Sequence, residues 1–109
     1  MLKFVNLKKE TPPKRDTSER RQDFQEIYDE FINEKAKEQS SRCSQCGVPF
    51  CQIHCPLSNN IPDWLKLTAE GIMQEAYELS QSTNNMPEVC GRICPQDRLC
   101  EGNCVIEKS

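Results

Sequence analysis

The chain is poor in most of what enzymes and membrane proteins are built from. No apolar run approaches the roughly 18 residues of a membrane span, and the N-terminal Met-Leu-Lys-Phe-Val-Asn-Leu-Lys-Lys has no signal-peptide hydrophobic stretch. No Ser/His/Asp set, phosphate loop or paired-carboxylate site stands out, so the sequence argues for no catalytic centre of its own. There is no 20–50-residue repeat and no alternating apolar/polar strand of convincing length, which points to an all-α domain. The net charge of −3 is small and implies neither a nucleic-acid nor a membrane partner. With its eight cysteines set aside, a 36% apolar fraction leaves little for a core across 109 residues. Small domains in that position lean on staples such as disulfides, metals or a partner.

What the chain does have is cysteine. The eight stand in two blocks of four. The first is Cys43-x2-Cys46-x4-Cys51-x3-Cys55-Pro56. The second is Cys90-x3-Cys94-Pro95-x4-Cys100-x3-Cys104. A disulfide framework would admit about a hundred pairings and needs an oxidising compartment, to which nothing here points. The expected location is cytoplasmic, where thiols stay reduced and metals claim them. Zinc is a second reading: Cys43-x2-Cys46 makes one knuckle, but the other spacings give no second clean one. Iron–sulfur ligation fits better. Eight thiolates are what two cubane clusters require at four ligands each.

A cubane takes thiolates from several directions, so a short loop supplies three and the fourth arrives from elsewhere. In two-cluster ferredoxins the cysteine of the Cys-Pro step serves the other cluster. By that logic Cys43, Cys46 and Cys51 hold cluster 1 and Cys55 crosses to cluster 2. Cys104 is the candidate to return to cluster 1. Cluster 2 then has Cys55, Cys94 and Cys100, and Cys90 is the thiol left over. His54, the one histidine, is expected to support a cluster from outside its ligands or to face solvent. Gly47, Gly91 and Gly102 lie beside ligands, where glycine permits tight turns. Arg92 and Arg98 are expected to pair with Glu88 and Asp97 on the surface, and Trp64 to lie in the core.

Around the cysteines, residues 1–19 read as an extended basic arm. Pro12-Pro13 forbids helix there, and Leu2, Phe4, Val5 and Leu7 are candidate anchors on another domain. Residues 20–109 form the cluster domain. Phe24, Ile27, Tyr28 and Phe31 follow helical spacing, which predicts an amphipathic helix over 20–38 with Ser18 as its cap. Asn60 and Pro62 predict a helix start, and Gly71 its end. Another helix is expected over 72–82 with Met73, Ala76, Tyr77 and Leu79 inward, and a short one from Met86 that delivers Cys90 and Cys94. Residues 1–42 carry ten Lys/Arg against nine Asp/Glu; residues 43–109 carry four against eight. The cysteine-rich part is acidic and would suit a basic partner surface.

The runs Cys43-Ser-Gln-Cys46-Gly-Val-Pro-Phe-Cys51-Gln-Ile-His-Cys55-Pro-Leu-Ser-Asn-Asn-Ile-Pro-Asp-Trp64 and Thr83-Asn-Asn-Met-Pro-Glu-Val-Cys90-Gly-Arg-Ile-Cys94-Pro-Gln-Asp-Arg-Leu-Cys100-Glu-Gly-Asn-Cys104 resemble the N-terminal iron–sulfur domain of glutamate synthase small (beta) subunits. The same module occurs in dihydropyrimidine dehydrogenase and other flavin-linked relatives. The resemblance implies an α-helical, ferredoxin-like domain wrapped around two 4Fe-4S clusters, with iron held through these cysteines. It implies an electron-transfer part of an oxidoreductase, in which NADPH reduces FAD and the clusters pass electrons to FMN on the large (alpha) subunit for glutamate synthesis. It also implies that cluster 2 takes its fourth ligand from a Gln or Glu downstream of the last cysteine. The sequence ends at Ser109, ahead of that ligand and of any Gly-x-Gly-x-x-Gly fingerprint. The chain is therefore expected to be an isolated domain or fragment, with FAD and NADPH sites in the part that follows and cluster 2 less firmly held than cluster 1.

Overall fold

The computed structural model describes residues 1–109. A short 3-10 turn at Lys3–Val5 precedes six α-helices: α1 Thr17–Arg20, α2 Asn33–Ser40, α3 Phe50–Ile53, α4 Ile61–Glu70, α5 Met73–Gln81 and α6 Pro87–Ile93. The single extended pairing is an isolated antiparallel bridge between Lys14 and Tyr28. The architecture is all-α, as expected.

α4 is the hub, with α2 and α5 packed on it and α3 touching its side. It starts where Pro62 fits the first turn, whose N–H groups lack intrahelical partners in any case. It ends at Gly71, whose φ of 83° is left-handed, so that the Ile72 N–H can close onto the Leu67 carbonyl at 2.9 Å. Asn60 occupies the cap position without capping: its side-chain amide turns to the Asp63 carboxylate at 2.7 Å. Asn59 ties α4 to α5. It accepts the Trp64 indole N–H at 2.8 Å and donates to the Ser80 carbonyl at 2.9 Å and the Thr83 hydroxyl at 2.8 Å. Ala76 is buried against α4, while Met73 and Leu79 are half-buried. Tyr77, expected to face inward, is 58% exposed. It follows Ala76 by about 100° of helix rotation and falls on the outer side.

The helix expected over 20–38 is not formed. Only α1 and α2 are helical there, and the intervening residues run back along the arm. Short-range acceptors take the amides a helix would need. Asp23 Oδ1 accepts the Gln25 N–H at 2.9 Å, and Glu26 Oε1 accepts those of Ile27 at 2.8 Å and Tyr28 at 3.2 Å. Arg15 grips both oxygens of Asp23, at 2.7 and 3.1 Å, while its N–H bonds the Ile27 carbonyl at 2.9 Å. The Asp29 N–H completes the pairing with the Pro13 carbonyl at 2.9 Å. The apolar stripe consequently stays outside, with Phe24 fully exposed and Ile27, Tyr28 and Ile32 exposed as well. Ser18 is not a cap either; Asp16 caps α1 by accepting the Ser18 N–H at 2.8 Å.

Only five of the 109 residues are buried: Ser40, Ser41, Arg42, Pro62 and Ala76. Three of these form the polar run directly ahead of Cys43, so the best-shielded point of the molecule is the entry to the first cysteine block. The N-terminal turn closes over it. The Leu2 N–H bonds the Cys43 carbonyl at 2.9 Å and the Lys3 N–H bonds the Ser41 carbonyl at 3.0 Å. Arg42 donates to the Leu7 carbonyl at 2.9 Å and the Ser109 carbonyl at 2.7 Å. Of the four apolar residues at the N-terminus, Phe4 and Leu7 are half-buried, and Leu2 and Val5 are exposed.

Candidate metal centre

The first block is a loop followed by one turn of helix. Cys43 and Cys46 lie on the loop, Cys51 on α3, and Cys55 just past it, where its N–H bonds the Gln52 carbonyl at 3.1 Å. Pro49 starts α3, and its carbonyl accepts both the Gln52 and the Ile53 N–H at 3.0 Å. This short turn puts Cys51 and Cys55 at its two ends, four residues apart.

The second block begins on α6 and continues as a run of tight turns. Cys90 lies within α6, and Cys94 ends it with its N–H on the Cys90 carbonyl at 2.9 Å. The Gln96 carbonyl then accepts both the Glu101 and the Gly102 N–H at 3.0 Å, drawing Cys100 and Cys104 into a small knot. The Asn103 amide reinforces it by donating to the carbonyls of Leu99 at 2.7 Å and Arg98 at 3.1 Å. Gly102 is required here, because a Cβ at this position would run into the Asp97 carbonyl. The same need was expected of Gly47 and Gly91, but both have open space and an ordinary φ.

All eight cysteines are free thiols; seven are half-buried and Cys94 is exposed. The structure brings Cys104 within charge range of Cys51. The Cys51 thiol is pushed up to about 11, first by burial and then by the neighbouring sulfurs of Cys104, Cys43 and Cys46, against a lowering hydrogen bond from the Gln52 N–H. Cys100 is likewise raised, chiefly by burial, with Cys55 as the neighbouring thiol and the Glu101 N–H opposing. Cys51 is thus within charge range of Cys43, Cys46 and Cys104, and Cys100 within charge range of Cys55. Cys94, the exposed one, faces an open groove lined also by Arg15, Glu26, Tyr28 and Arg92.

No three His, Cys, Asp or Glu side chains converge closely enough to clasp one ion. The first quartet is near enough for mutual charge effects yet too open for a lone zinc, whose sulfurs sit about 2.3 Å from a single centre. A multi-iron group fits this donor set better. The burial that pushes the Cys51 and Cys100 thiols up would also shield a bound group from water, and iron displaces thiol protons on binding.

His54 is exposed, its ring Nδ1–H on the Phe50 carbonyl at 2.9 Å, and it faces solvent. Trp64, on α4, is half-buried with its indole N–H on the Asn59 side chain. Arg98 lies 4.0 Å from Asp97 as expected, but Arg92 pairs with Glu26 instead of Glu88. That contact spans 66 residues of chain, beyond the reach of local spacing. It holds the Glu26 carboxyl down at about 2, with the Tyr28 and Ile27 N–H groups assisting. Sequence reasoning passed over Ser44, Gln45, Arg42 and Gln96. Their only signal was polar character in or beside the cysteine runs, and no spacing rule ranks such residues.

Residues 20–109 match the profile of the family described as dihydropyrimidine dehydrogenase domain II, 4Fe-4S cluster. The chain is 72% identical over 109 residues, its whole length, to the glutamate synthase (NADPH) small chain of Azospirillum brasilense, covering 23% of that protein. It is 52% identical over 106 residues to the corresponding small chain of Escherichia coli, covering 97% of this chain and 22% of the relative. AegA of Escherichia coli, whose name marks it only as an oxidoreductase, is 47% identical over 96 residues, or 87% of this chain and 15% of its own. The chain thus spans less than a quarter of the length of these relatives. By sequence profile, with a helical, cysteine-lined structure to match, it belongs to the dihydropyrimidine dehydrogenase domain II family of 4Fe-4S proteins.

Proposed function

We propose that residues 20–109 hold two 4Fe-4S clusters in a ferredoxin-like arrangement, with residues 1–19 as a strap across the first. Cluster 1 is assigned to Cys43, Cys46, Cys51 and Cys104. Cluster 2 is assigned to Cys55, Cys94 and Cys100, with its fourth ligand from sequence further along the polypeptide or from Cys90. The domain serves as the electron relay of a cytoplasmic, NADPH-dependent glutamate synthase. Electrons from NADPH reach it through FAD in the rest of the small subunit and leave for FMN on the large subunit. The observation that carries the reading is the gathering of Cys104 with three thiols of the other block around Cys51. A crossed ligand set accounts for it directly, and two independent four-cysteine sites would not.

When bound, such clusters supply one-electron carriers. The protein's share is to hold them at fixed separation, keep water from the sulfurs and donate hydrogen bonds to them. The 72% identity over the whole chain favours the glutamate synthase setting. The match to AegA favours a second reading, the same relay in a different oxidoreductase.

Anaerobic reconstitution with iron and sulfide tests the cluster assignment. The expected product is brown and holds about eight irons, four per cluster, with two EPR signals on reduction. Tight stoichiometric zinc without iron would overturn it. Iron retained in Cys90→Ser places the fourth ligand of cluster 2 outside the chain's thiols, and iron lost assigns it to Cys90. NADPH-dependent reduction of FMN on an added large subunit, from the small subunit carrying this domain, separates the two settings.

A further inference from the structure

Ser44 and Gln45 fill the two positions between Cys43 and Cys46, and both turn back onto the sulfurs that flank them. Ser44 Oγ lies 2.9 Å from Cys46 Sγ. Gln45 reaches Cys43 Sγ twice, with its backbone N–H at 3.5 Å and its side-chain Nε2–H at 3.4 Å. No other side chain hydrogen-bonds a cysteine sulfur.

The orientation of the Gln45 amide follows from its second partner. Nε2 also donates to the Pro62 carbonyl at 2.7 Å. A carbonyl only accepts, so the nitrogen end of the amide must face it, which settles the choice between oxygen and nitrogen. One amide hydrogen then serves Pro62 and the other is free for Cys43 Sγ. Pro62 is buried in the first turn of α4, so the donor is anchored to the hub of the fold. The backbone adds a second argument. Gln45 has a φ of 52°, in the left-handed region that favours glycine. A glutamine held there, with its amide nitrogen bonded to both Cys43 Sγ and the Pro62 carbonyl, points to a use for that side chain.

We propose that Gln45 is a positioning residue that raises the reduction potential of the cluster bound by Cys43. This rests on the cluster assignment above. When an electron arrives from a reduced flavin, no bond forms or breaks, and the added negative charge spreads onto the cysteine sulfurs. Two N–H donors aimed at Cys43 Sγ stabilise that charge, so reduction at this site becomes more favourable. The sulfurs of Cys55 and Cys94 have no side-chain donor, and the two clusters are thereby set at different potentials.

The test is EPR-monitored redox titration of the reconstituted full chain as wild type, Gln45→Met and Gln45→Gly. Methionine keeps the length and removes the side-chain donor. Glycine also removes it while suiting the left-handed φ and keeping the backbone N–H. Both are expected to lower the reduction equilibrium of one cluster about tenfold, which is about 59 mV for one electron, and to leave the other unchanged. Gln45→Gly gives up the Pro62 bond but relieves the left-handed φ, so it is expected to shift the potential at near wild-type thermal stability, an outcome a purely structural role would not give. In wild type carrying isotopically labelled glutamine side-chain amides, pulsed EPR is expected to detect a nitrogen coupling to one reduced cluster, absent in Gln45→Gly. Unchanged potentials in iron-loaded variants would overturn the proposal, and so would the absence of that coupling in wild type should the variants fail to load. A wild type that binds no four-iron cluster would instead overturn the proposed function.

Discussion

The two cysteine blocks are built in opposite ways. The first is held from outside: the N-terminal turn bonds the backbone at Ser41 and Cys43, Arg42 ties the chain to Leu7 and Ser109, and Gln45 hangs from Pro62. The second is held largely from within, by the Gln96 carbonyl, the Asn103 amide and the close approach permitted at Gly102. Its outward links are ion pairs on the surface, Glu26 with Arg92 and Lys9 with Glu101. The first block therefore depends on distant sequence and receives side-chain donors on its sulfurs. The second depends on its own turns and has the one exposed cysteine, Cys94. One block is shaped by the fold and the other shapes itself, and on the proposed assignment Cys104 and Cys55 make each incomplete without its neighbour.

The largest expected effect breaks the comparison at its crossing point. Cys104→Ala and Cys43→Ala should remove the same cluster, although the residues belong to different blocks. Each should lower bound iron by roughly half, at four irons per cluster, and erase the same EPR signal. Loss of different signals would return each block to its own cluster.

Gly102→Ala comes next. Its Cβ would meet the Asp97 carbonyl, a backbone group that moves only with the whole knot. Overpacking of that kind costs about 1–3 kcal/mol and should weaken iron retention at Cys100 and Cys104 together. Gly47→Ala in the first block meets open space and should leave retention and thermal stability unchanged. Equal behaviour of the two variants would remove the contrast between a self-shaped and an externally held block.

The smallest effect concerns the Glu26–Arg92 pair. Arg92 and the Tyr28 and Ile27 amides depress the Glu26 carboxyl from 4.5 to about 2. A carboxyl lowered in the folded state contributes stability that is present above its unfolded value and lost as pH falls through its folded value. The contribution should disappear between about 4.5 and about 2. The group is exposed at the surface, so the effect is local: NMR of the metal-free chain should show Glu26 titrating near the low value. Arg92→Gln should move it back toward 4.5, with faster hydrogen exchange at Ile27 and Tyr28.

Much of the helical frame was legible because its signals are local. Pro62 near the start of α4, Gly71 at its end and Pro87 at the start of α6 act through φ and missing N–H groups, within one turn of where they stand. Residues 20–38 misled for the opposite reason. Their apolar spacing is helical, but Asp23 and Glu26 offer the backbone other partners, and Arg15 and Arg92 hold those carboxylates in place. Periodicity registers neither kind of bond. The site divides in the same manner. Eight cysteines and two Cys-Pro steps pointed to iron and to a crossing, while the sulfur donors Ser44 and Gln45 looked like ordinary loop residues.

By itself the sequence determined the chemistry on offer. Eight thiols with little apolar material around them call for a metal group, because so small a core needs a staple. Proline and glycine set where several helices begin and end. Only the tertiary structure decided which thiols share a space, that the arm straps the first block, and that one glutamine spans Cys43 and Pro62. Those outcomes depend on groups far apart in the chain coming within hydrogen-bond or charge range, and that distance is created by folding and appears in no spacing.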